Sequence, residues 1–262
     1  MKQKKRVFVF ILSYNHRKTI INLLERIPKK VWDECEEVLI ADDCSKDDTY
    51  EKAIEYKNKN NLKKLTIIKH QKNKGYGGNQ KFCYNYAKNK GYEIAVMVHG
   101  DLQYPPEYIN SLVSLFDNPN VGMAFGSRMS GNPIKGGMPL YKFFGNIFLT
   151  TIENLVLQTR LTEFHSGFRA YSILALSQIP FDKNSNDFHF DSEIIVQMVM
   201  AKKRISEIPI PTHYGDEKCN VNSFKYGLNV LKVMSKYIMH QTSIRKFPLF
   251  NIKNSTSQQH KA

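Results

Sequence analysis

Short apolar runs alternate with stretches of helical periodicity along the first half of the chain. Val7 to Leu12, Val38 to Ala41, Leu65 to Ile68, Ile94 to Val98 and Val121 to Phe125 each read as a buried strand bounded by polar or turn-forming residues. Between the first two, Ile20, Leu23, Leu24 and Ile27 recur at helix spacing until Pro28 interrupts them. Further helices are predicted near residues 48 to 59 and 79 to 89, and Ile109, Leu112, Val113 and Phe116 share one helical face. This alternation is the mark of βαβ units, so the fold class is α/β, with a mostly parallel central sheet flanked by helices. The second half is less regular: strands are predicted near 168 to 173 and 204 to 209, and helices near 141 to 157, 191 to 202 and 224 to 239. No repeat or linker divides the chain. One domain is expected over residues 1–248, followed by a disordered tail, 249–262, rich in Asn, Ser, Thr and Gln from about Asn251.

Composition changes this picture in one respect. Apolar and charged residues make up 42% and 24% of the 262 residues, ordinary for a folded soluble domain, but the formal net charge is +14. Such an excess favours anionic partners: nucleotide phosphates, nucleic acid or an acidic membrane surface. Nucleic acid is set aside, because neither an RNA-binding aromatic motif nor a recognition-helix pattern accompanies the charge. Cys35, Cys44, Cys83 and Cys219 have no disulfide-like or zinc-like spacing, which fits reduced thiols in the cytosol. No stretch reaches the roughly 18 apolar residues of a membrane span, and Val7 to Leu12 is too short for a secretory signal. A cytoplasmic protein is expected.

Candidate chemistry gathers where the strands end. Ligands of open α/β sheets bind at the carboxyl ends of the strands. The run Ile94 to Val98 is followed by His99-Gly100-Asp101-Leu102-Gln103-Tyr104-Pro105-Pro106-Glu107. If the segment stays extended, His99, Asp101 and Gln103 share a face and offer an imidazole, a carboxylate and an amide oxygen to one Mn²⁺ or Mg²⁺ on a diphosphate. The plain alternative is a loop in which Asp101 caps the helix opened by Pro105 and Pro106. Val38 to Ala41 runs into Asp42 and Asp43, which could accept hydrogen bonds from a base or ribose, while Asp47 or Asp48 caps the next helix. Asn73-Lys74-Gly75-Tyr76-Gly77-Gly78 could bring backbone close to a ligand at a helix start. It matches neither a Walker loop nor the dinucleotide fingerprint.

Taken in order, Ile11-Leu12-Ser13-Tyr14-Asn15, Ala41-Asp42-Asp43-Cys44-Ser45, Asn73 to Gly78, Gly100 to Glu107, Gly126-Ser127-Arg128 and Ser166-Gly167-Phe168-Arg169-Ala170-Tyr171 resemble glycosyltransferase family 2. The branch is that of dolichyl-phosphate mannose synthase and bacterial polyprenyl-phosphate sugar transferases, and the resemblance spans roughly residues 6 to 235. It implies a GT-A fold, a nucleotide-diphosphate sugar donor, a divalent cation and inversion at the anomeric carbon. It also implies that Asp42 and Asp43 recognise the nucleoside, that Ser13, Tyr14 and Asn15 line its pocket with Asn73, Gly75 and Gly100 nearby, and that Asp101 and Gln103 hold the metal. Two positions depart from the family pattern. His99 stands where an aspartate is usual, and His16 where glutamate is frequent.

Transfer builds negative charge on the leaving diphosphate, and Arg128 and Arg169 are candidates to meet it or to grip an acceptor phosphate; either could instead be an ion-pair partner. An ionised lipid phosphate needs no base, whereas a sugar hydroxyl would call on Glu163 or His165. Two regions could serve the acceptor. Gly136 to Thr150 resembles the interfacial helix of the polyprenyl-phosphate branch, or is a core helix. Near the carboxyl end, Lys225, Lys232, Lys236, Arg245 and Lys246 among Phe224, Leu228, Leu231 and Ile238 suit an anionic bilayer, a membrane-protein partner or simply water. Asp191 is expected to cap a helix, Glu207 to be structural, and His213 to Glu217 to form a lid. The expected function is transfer to a polyprenyl phosphate by a cytoplasmic, peripheral membrane enzyme. The alternatives are transfer to a saccharide hydroxyl in surface-polysaccharide assembly, and a non-catalytic nucleotide-sugar or nucleic-acid binder.

Overall fold

The computed structural model describes residues 5–211 and 222–252. Strand β1 (Val7–Ser13) is followed by helices α1 (Ile20–Arg26) and α2 (Lys29–Glu34), then β2 (Glu37–Asp42), α3 (Thr49–Lys59), β3 (Leu65–Lys69), α4 (Tyr76–Asn89) and β4 (Ile94–His99). Next come α5 (Ile109–Ser114), β5 (Val121–Ser127), α6 (Leu140–Leu157), β6 (Arg169–Ser172), α7 (Ile173–Leu176), α8 (Phe190–Met200), β7 (Arg204–Pro209) and α9 (Ser223–Gln241). The strands form one sheet in the order β3-β2-β1-β4-β6-β5-β7. Only β6 runs against its neighbours, β4 and β5.

Every residue of β1 and β2 is buried, as expected of parallel strands covered on both faces. Alternation then divides β1 between two cores: Phe8 and Phe10 join one side with Tyr84 and Tyr92, and Val9 and Ile11 join the other with Ile20 and Leu24. Pro28 ends α1 as expected, but its fixed φ of −60° also opens the short α2, which periodicity did not show. Folded chain extends beyond the expected boundary at residue 248. Leu249 and Phe250 are buried, and Gln197 Nε2 donates to the Leu249 carbonyl at 2.6 Å. The rest of the expected tail from residue 253, Cys219 and the expected lid, His213 to Glu217, lie outside the described residues. Cys35, Cys44 and Cys83 are free thiols.

Helix α6 is built inside out. Its buried residues are Asn146, Thr150, Glu153 and Leu157, three of them polar, whereas Leu140, Tyr141, Phe144, Ile147, Phe148 and Leu155 are exposed. Spacings of three, four and seven residues set these apolar side chains in one stripe. Among the described residues, no helix is long and apolar enough to cross a membrane.

Candidate active site

The carboxyl ends of β1, β2 and β4 open into a cavity of about 1500 Å³, larger than the roughly 300–1,000 Å³ of a single-ligand pocket. There is room for two substrates. Ser13, Tyr14, Asn15, Asp43, Asn73 and Gly75 line one part of it, and His99, Asp101, Gln103, Arg128 and His165 another. Tyr141 and Leu149 bring α6 to the same wall.

Asp43 is a cavity residue and Asp42 is not. The Asp42 carboxylate is buried and consumed by Ser45, accepting its N–H at 2.8 Å and its hydroxyl at 2.5 Å, so the expected nucleoside contact of Asp42 gives way to a role in shaping the turn. Asp43 accepts the Lys74 and Gly75 N–H groups at 2.7 and 3.0 Å, and Asn73 Nδ2 donates back to its carbonyl at 3.1 Å. Burial pushes the Asp43 pKa up against these hydrogen bonds. Asn15, at φ 59°, accepts the Lys46 N–H at 2.8 Å and so ties the first two loops together. Asp47 lines the cavity and accepts the Thr49 N–H at the start of α3, whereas Asp48, the N-cap residue, makes no side-chain cap.

The glycines serve the chain itself. A Cβ on Gly75 would meet the Asn186 carbonyl at 2.6 Å, and Gly77 N–H donates to that carbonyl at 2.8 Å, so this loop admits the segment before α8. Gly100 is similarly occupied: a Cβ there would lie 2.3 Å from His16 Nδ1. It makes room for His16 and does not line the cavity, contrary to expectation.

The segment after β4 does not stay extended. The strand ends at His99, Leu102 has φ 64°, and Asp101 accepts the Gln103 N–H at 3.0 Å, so the expected two-residue alternation fails. All three side chains still reach the cavity. His99, however, lies against Gly167, where a Cβ would come within 2.3 Å of the ring, and its Nε2 is 3.2 Å from the Tyr76 hydroxyl. Burial holds its pKa down to about 4. Burial also raises the Asp101 pKa, opposed by the Gln103 N–H and by His16 and Arg128. His16, whose own pKa burial lowers although Asp101 opposes the shift, is the site residue that motif reasoning noticed without giving it a role.

Among the described residues no three His, Cys, Asp or Glu side chains form a metal cage. A hard cation that keeps a diphosphate as ligand needs only one or two carboxylates from the protein. Asp101 and the Gln103 amide fit that requirement, because a cation beside Asp101 would relieve the burial that disfavours its charge.

Three carboxylates face two arginines and a histidine around this cavity. Arg128 Nε donates to Glu163 Oε1 at 2.7 Å, its backbone N–H to Oε2 at 2.7 Å, and Asn146 Nδ2 adds a bond to Oε1 at 2.9 Å. Glu163 is fully buried, and the Arg128 charge outweighs burial to hold its pKa below the ordinary value. It is therefore an anchor for Arg128 and not the general base expected for a hydroxyl acceptor. Arg169, 1% exposed, donates to the carbonyls of Ser166, Phe164 and Asp191 at 2.6, 2.8 and 3.1 Å and lies 3.4 Å from Asp191 Oδ2. It does not line the cavity, so its expected phosphate-gripping role is replaced by that of an internal clamp. Asp191 sits in the first turn of α8 and makes no cap; it accepts from Tyr76 Oη at 2.8 Å and Gln80 Nε2 at 3.0 Å. Glu207 is structural as expected, taking the Thr162 N–H and hydroxyl. The third pair is His165 with Glu153, 3.2 Å apart.

Residues 8–179 match the family model "Glycosyl transferase family 2". The chain is 31% identical over 237 residues to the UDP-N-acetylglucosamine–dolichyl-phosphate N-acetylglucosaminyltransferase of Methanococcus voltae, covering 87% of this chain and 91% of that one. It is 33% identical over 132 residues to the dolichol-phosphate mannosyltransferase of Pyrococcus furiosus, covering 50% and 34%. Glucosyl-3-phosphoglycerate synthase of Mycobacterium tuberculosis, solved with Mn²⁺, UDP-glucose and phosphoglyceric acid, superposes with a TM-score of 0.67 at 14% identity, covering 89% of this chain and 79% of that one. The sheet order, the cavity at its strand ends and these matches agree on the GT-A fold, and the chain belongs to glycosyltransferase family 2.

Proposed function

We propose that the protein transfers a sugar from a nucleotide-diphosphate donor to a polyprenyl phosphate at the cytoplasmic face of a membrane, with a divalent cation and inversion of the anomeric carbon. The observation that carries the acceptor is the inside-out α6, whose exposed apolar stripe begins beside the cavity that Tyr141 also lines. Contiguous exposed apolar surface of this kind marks contact with a membrane or a partner. The dolichyl-phosphate acceptor named for the Methanococcus voltae relative agrees with the membrane choice.

The nucleoside sits among Ser13, Tyr14, Asn15, Asp43 and Asn73, with the Asp43 carboxylate fixed by the Lys74 and Gly75 N–H groups. Asp101 and Gln103 would hold a divalent cation, and His99 could join them only by giving up Tyr76. Such a cation would supply compensation for the charge that gathers on the departing nucleoside diphosphate. Arg128, held in place by Glu163, adds a second positive charge on the same wall. An acceptor phosphate is ionised near neutral pH and attacks from the opposite face of the sugar without a base. The commitment of Glu163 to Arg128 fits that economy.

The direct test supplies UDP-N-acetylglucosamine or UDP-glucose with Mn²⁺ and either farnesyl phosphate or a free saccharide, with mass spectrometry of the products. A metal-dependent sugar phosphoryl lipid is the expected product; sugar found only on the saccharide assigns the alternative acceptor. The surface has its own test. Phe144→Asp combined with Phe148→Asp should cut flotation with anionic liposomes at low salt by at least about tenfold, since each change exchanges lipid-buried apolar area for a charge. Equal flotation of the variant and the parent protein removes α6 as the contact.

A further inference from the structure

Helix α6 turns toward the interior a carboxylate that no hydrogen bond satisfies. Glu153 is fully buried, and neither of its oxygens has a hydrogen-bond partner among the described residues. Facing it is His165, whose Nε2 lies 3.2 Å from Glu153 Oε2 and is itself buried without a hydrogen bond in this arrangement. The other ring nitrogen, Nδ1, is 2.9 Å from the Tyr226 hydroxyl on α9. His165 and Tyr226 line the cavity, and Glu153 stands behind them.

A buried carboxylate is costly unless a charged partner compensates it. The two arginines near the site are already committed, Arg128 to Glu163 and Arg169 to Asp191. For Glu153 the partner is the imidazole. A small torsion closes the 3.2 Å contact into an Nε2–H to Oε2 hydrogen bond. With Nε2–H directed at Glu153, Nδ1 pairs with the Tyr226 hydroxyl, so carboxylate, ring and phenol form one connected chain at the cavity wall. Burial and the nearby Glu153 charge raise the Tyr226 pKa, which keeps that phenol a donor. The chain also adjoins the donor end, because Arg128 Nη2 donates to the His165 carbonyl at 3.0 Å.

We propose that Glu153 is a positioning residue that holds a proton on His165 Nε2, so that His165 and Tyr226 form the seat for the acceptor's phosphate group. This rests on the polyprenyl-phosphate reading above. An anion entering along α6 meets the His165 ring and the Tyr226 phenol beside Arg128, and Glu153 behind the ring fixes the orientation of both.

The test uses the full chain and two calorimetric probes, farnesyl phosphate, with farnesol as its blank, and UDP with Mn²⁺. Glu153→Gln keeps the shape and removes the charge. It should weaken farnesyl phosphate binding on the order of tenfold, the usual scale for a lost hydrogen bond to a charged group, while UDP binding stays unchanged. The thermal midpoint should hold, because the amide keeps the packing and its oxygen can still accept the Nε2–H. Tyr226→Phe should weaken farnesyl phosphate binding similarly, and the double variant should be hardly weaker than either single one, since all three groups act in one chain. Unchanged farnesyl phosphate binding by Glu153→Gln, or parallel losses of both ligands with a lower midpoint, overturns the proposal and leaves the acceptor reading standing. A wild-type protein that binds UDP but not farnesyl phosphate removes the acceptor reading, and this proposal with it.

Discussion

Asp101→Ala is expected to lower metal-dependent sugar transfer on the order of 10³-fold while the protein stays folded, measured as turnover of nucleotide sugar and as thermal midpoint. The scale follows from removing a group that holds charge compensation on the leaving diphosphate, where single preorganised contacts are worth about 10²–10³ in rate. The fold is spared because the carboxylate's structural work is local: it accepts the N–H of Gln103, two residues away, in a turn at the cavity wall. Loss of activity should come with loss of Mn²⁺-dependent protection by the nucleotide against heating. A variant that keeps turnover within about threefold of the parent removes Asp101 from the metal site.

Arg169→Ala should act in the opposite sense, on stability before chemistry. The substitution empties a fully packed site, strips donors from the carbonyls of Ser166, Phe164 and Asp191, and leaves the Asp191 carboxylate buried without its cation. Breaking one side of a buried ion pair costs about 3–5 kcal/mol, which lowers the melting temperature of a chain this size on the order of 10 °C. Guanidinium-chloride unfolding of the variant measures it directly. Activity at a temperature where the variant remains folded should fall much less than in Asp101→Ala, because Arg169 does not line the cavity. A variant as stable as the parent but inactive would return Arg169 to the phosphate-binding role its motif suggested.

The parallel strands were legible because each carries an apolar run, fully buried in β1 and β2 and half-buried in the edge strand β3, and β1 to β5 stand where those runs predicted them. Motif spacing likewise brought Ser13, Tyr14, Asp43, Asn73, Asp101 and Gln103 to one cavity. What a linear pattern could not show is which polar atoms are already spent. Asp42 differs from Asp43 only in turning inward to Ser45, and Glu163 and Arg169 look catalytic until their partners, 35 and 22 residues away, are seen to saturate them. The same limit hid Glu153. An isolated glutamate in an apolar helix gives no sign of facing a histidine that a separate loop delivers. The inside-out character of α6 was equally mute, since periodicity reports that a helix has two faces and not which one the fold chooses to cover.

The two faces of α6 are joined more tightly than a simple anchor requires. Asn146, on the inner face, hydrogen-bonds the very carboxylate that clamps Arg128, while Phe144 and Phe148 flank it two residues away on the outside. If α6 seats on lipid and Arg128 faces the leaving diphosphate, as proposed above, a force on those two rings would reach the guanidinium through one amide. Anchorage and turnover would then share one lever, and an enzyme adrift in solution would differ from one seated on its lipid in the aim of Arg128 as well as in location.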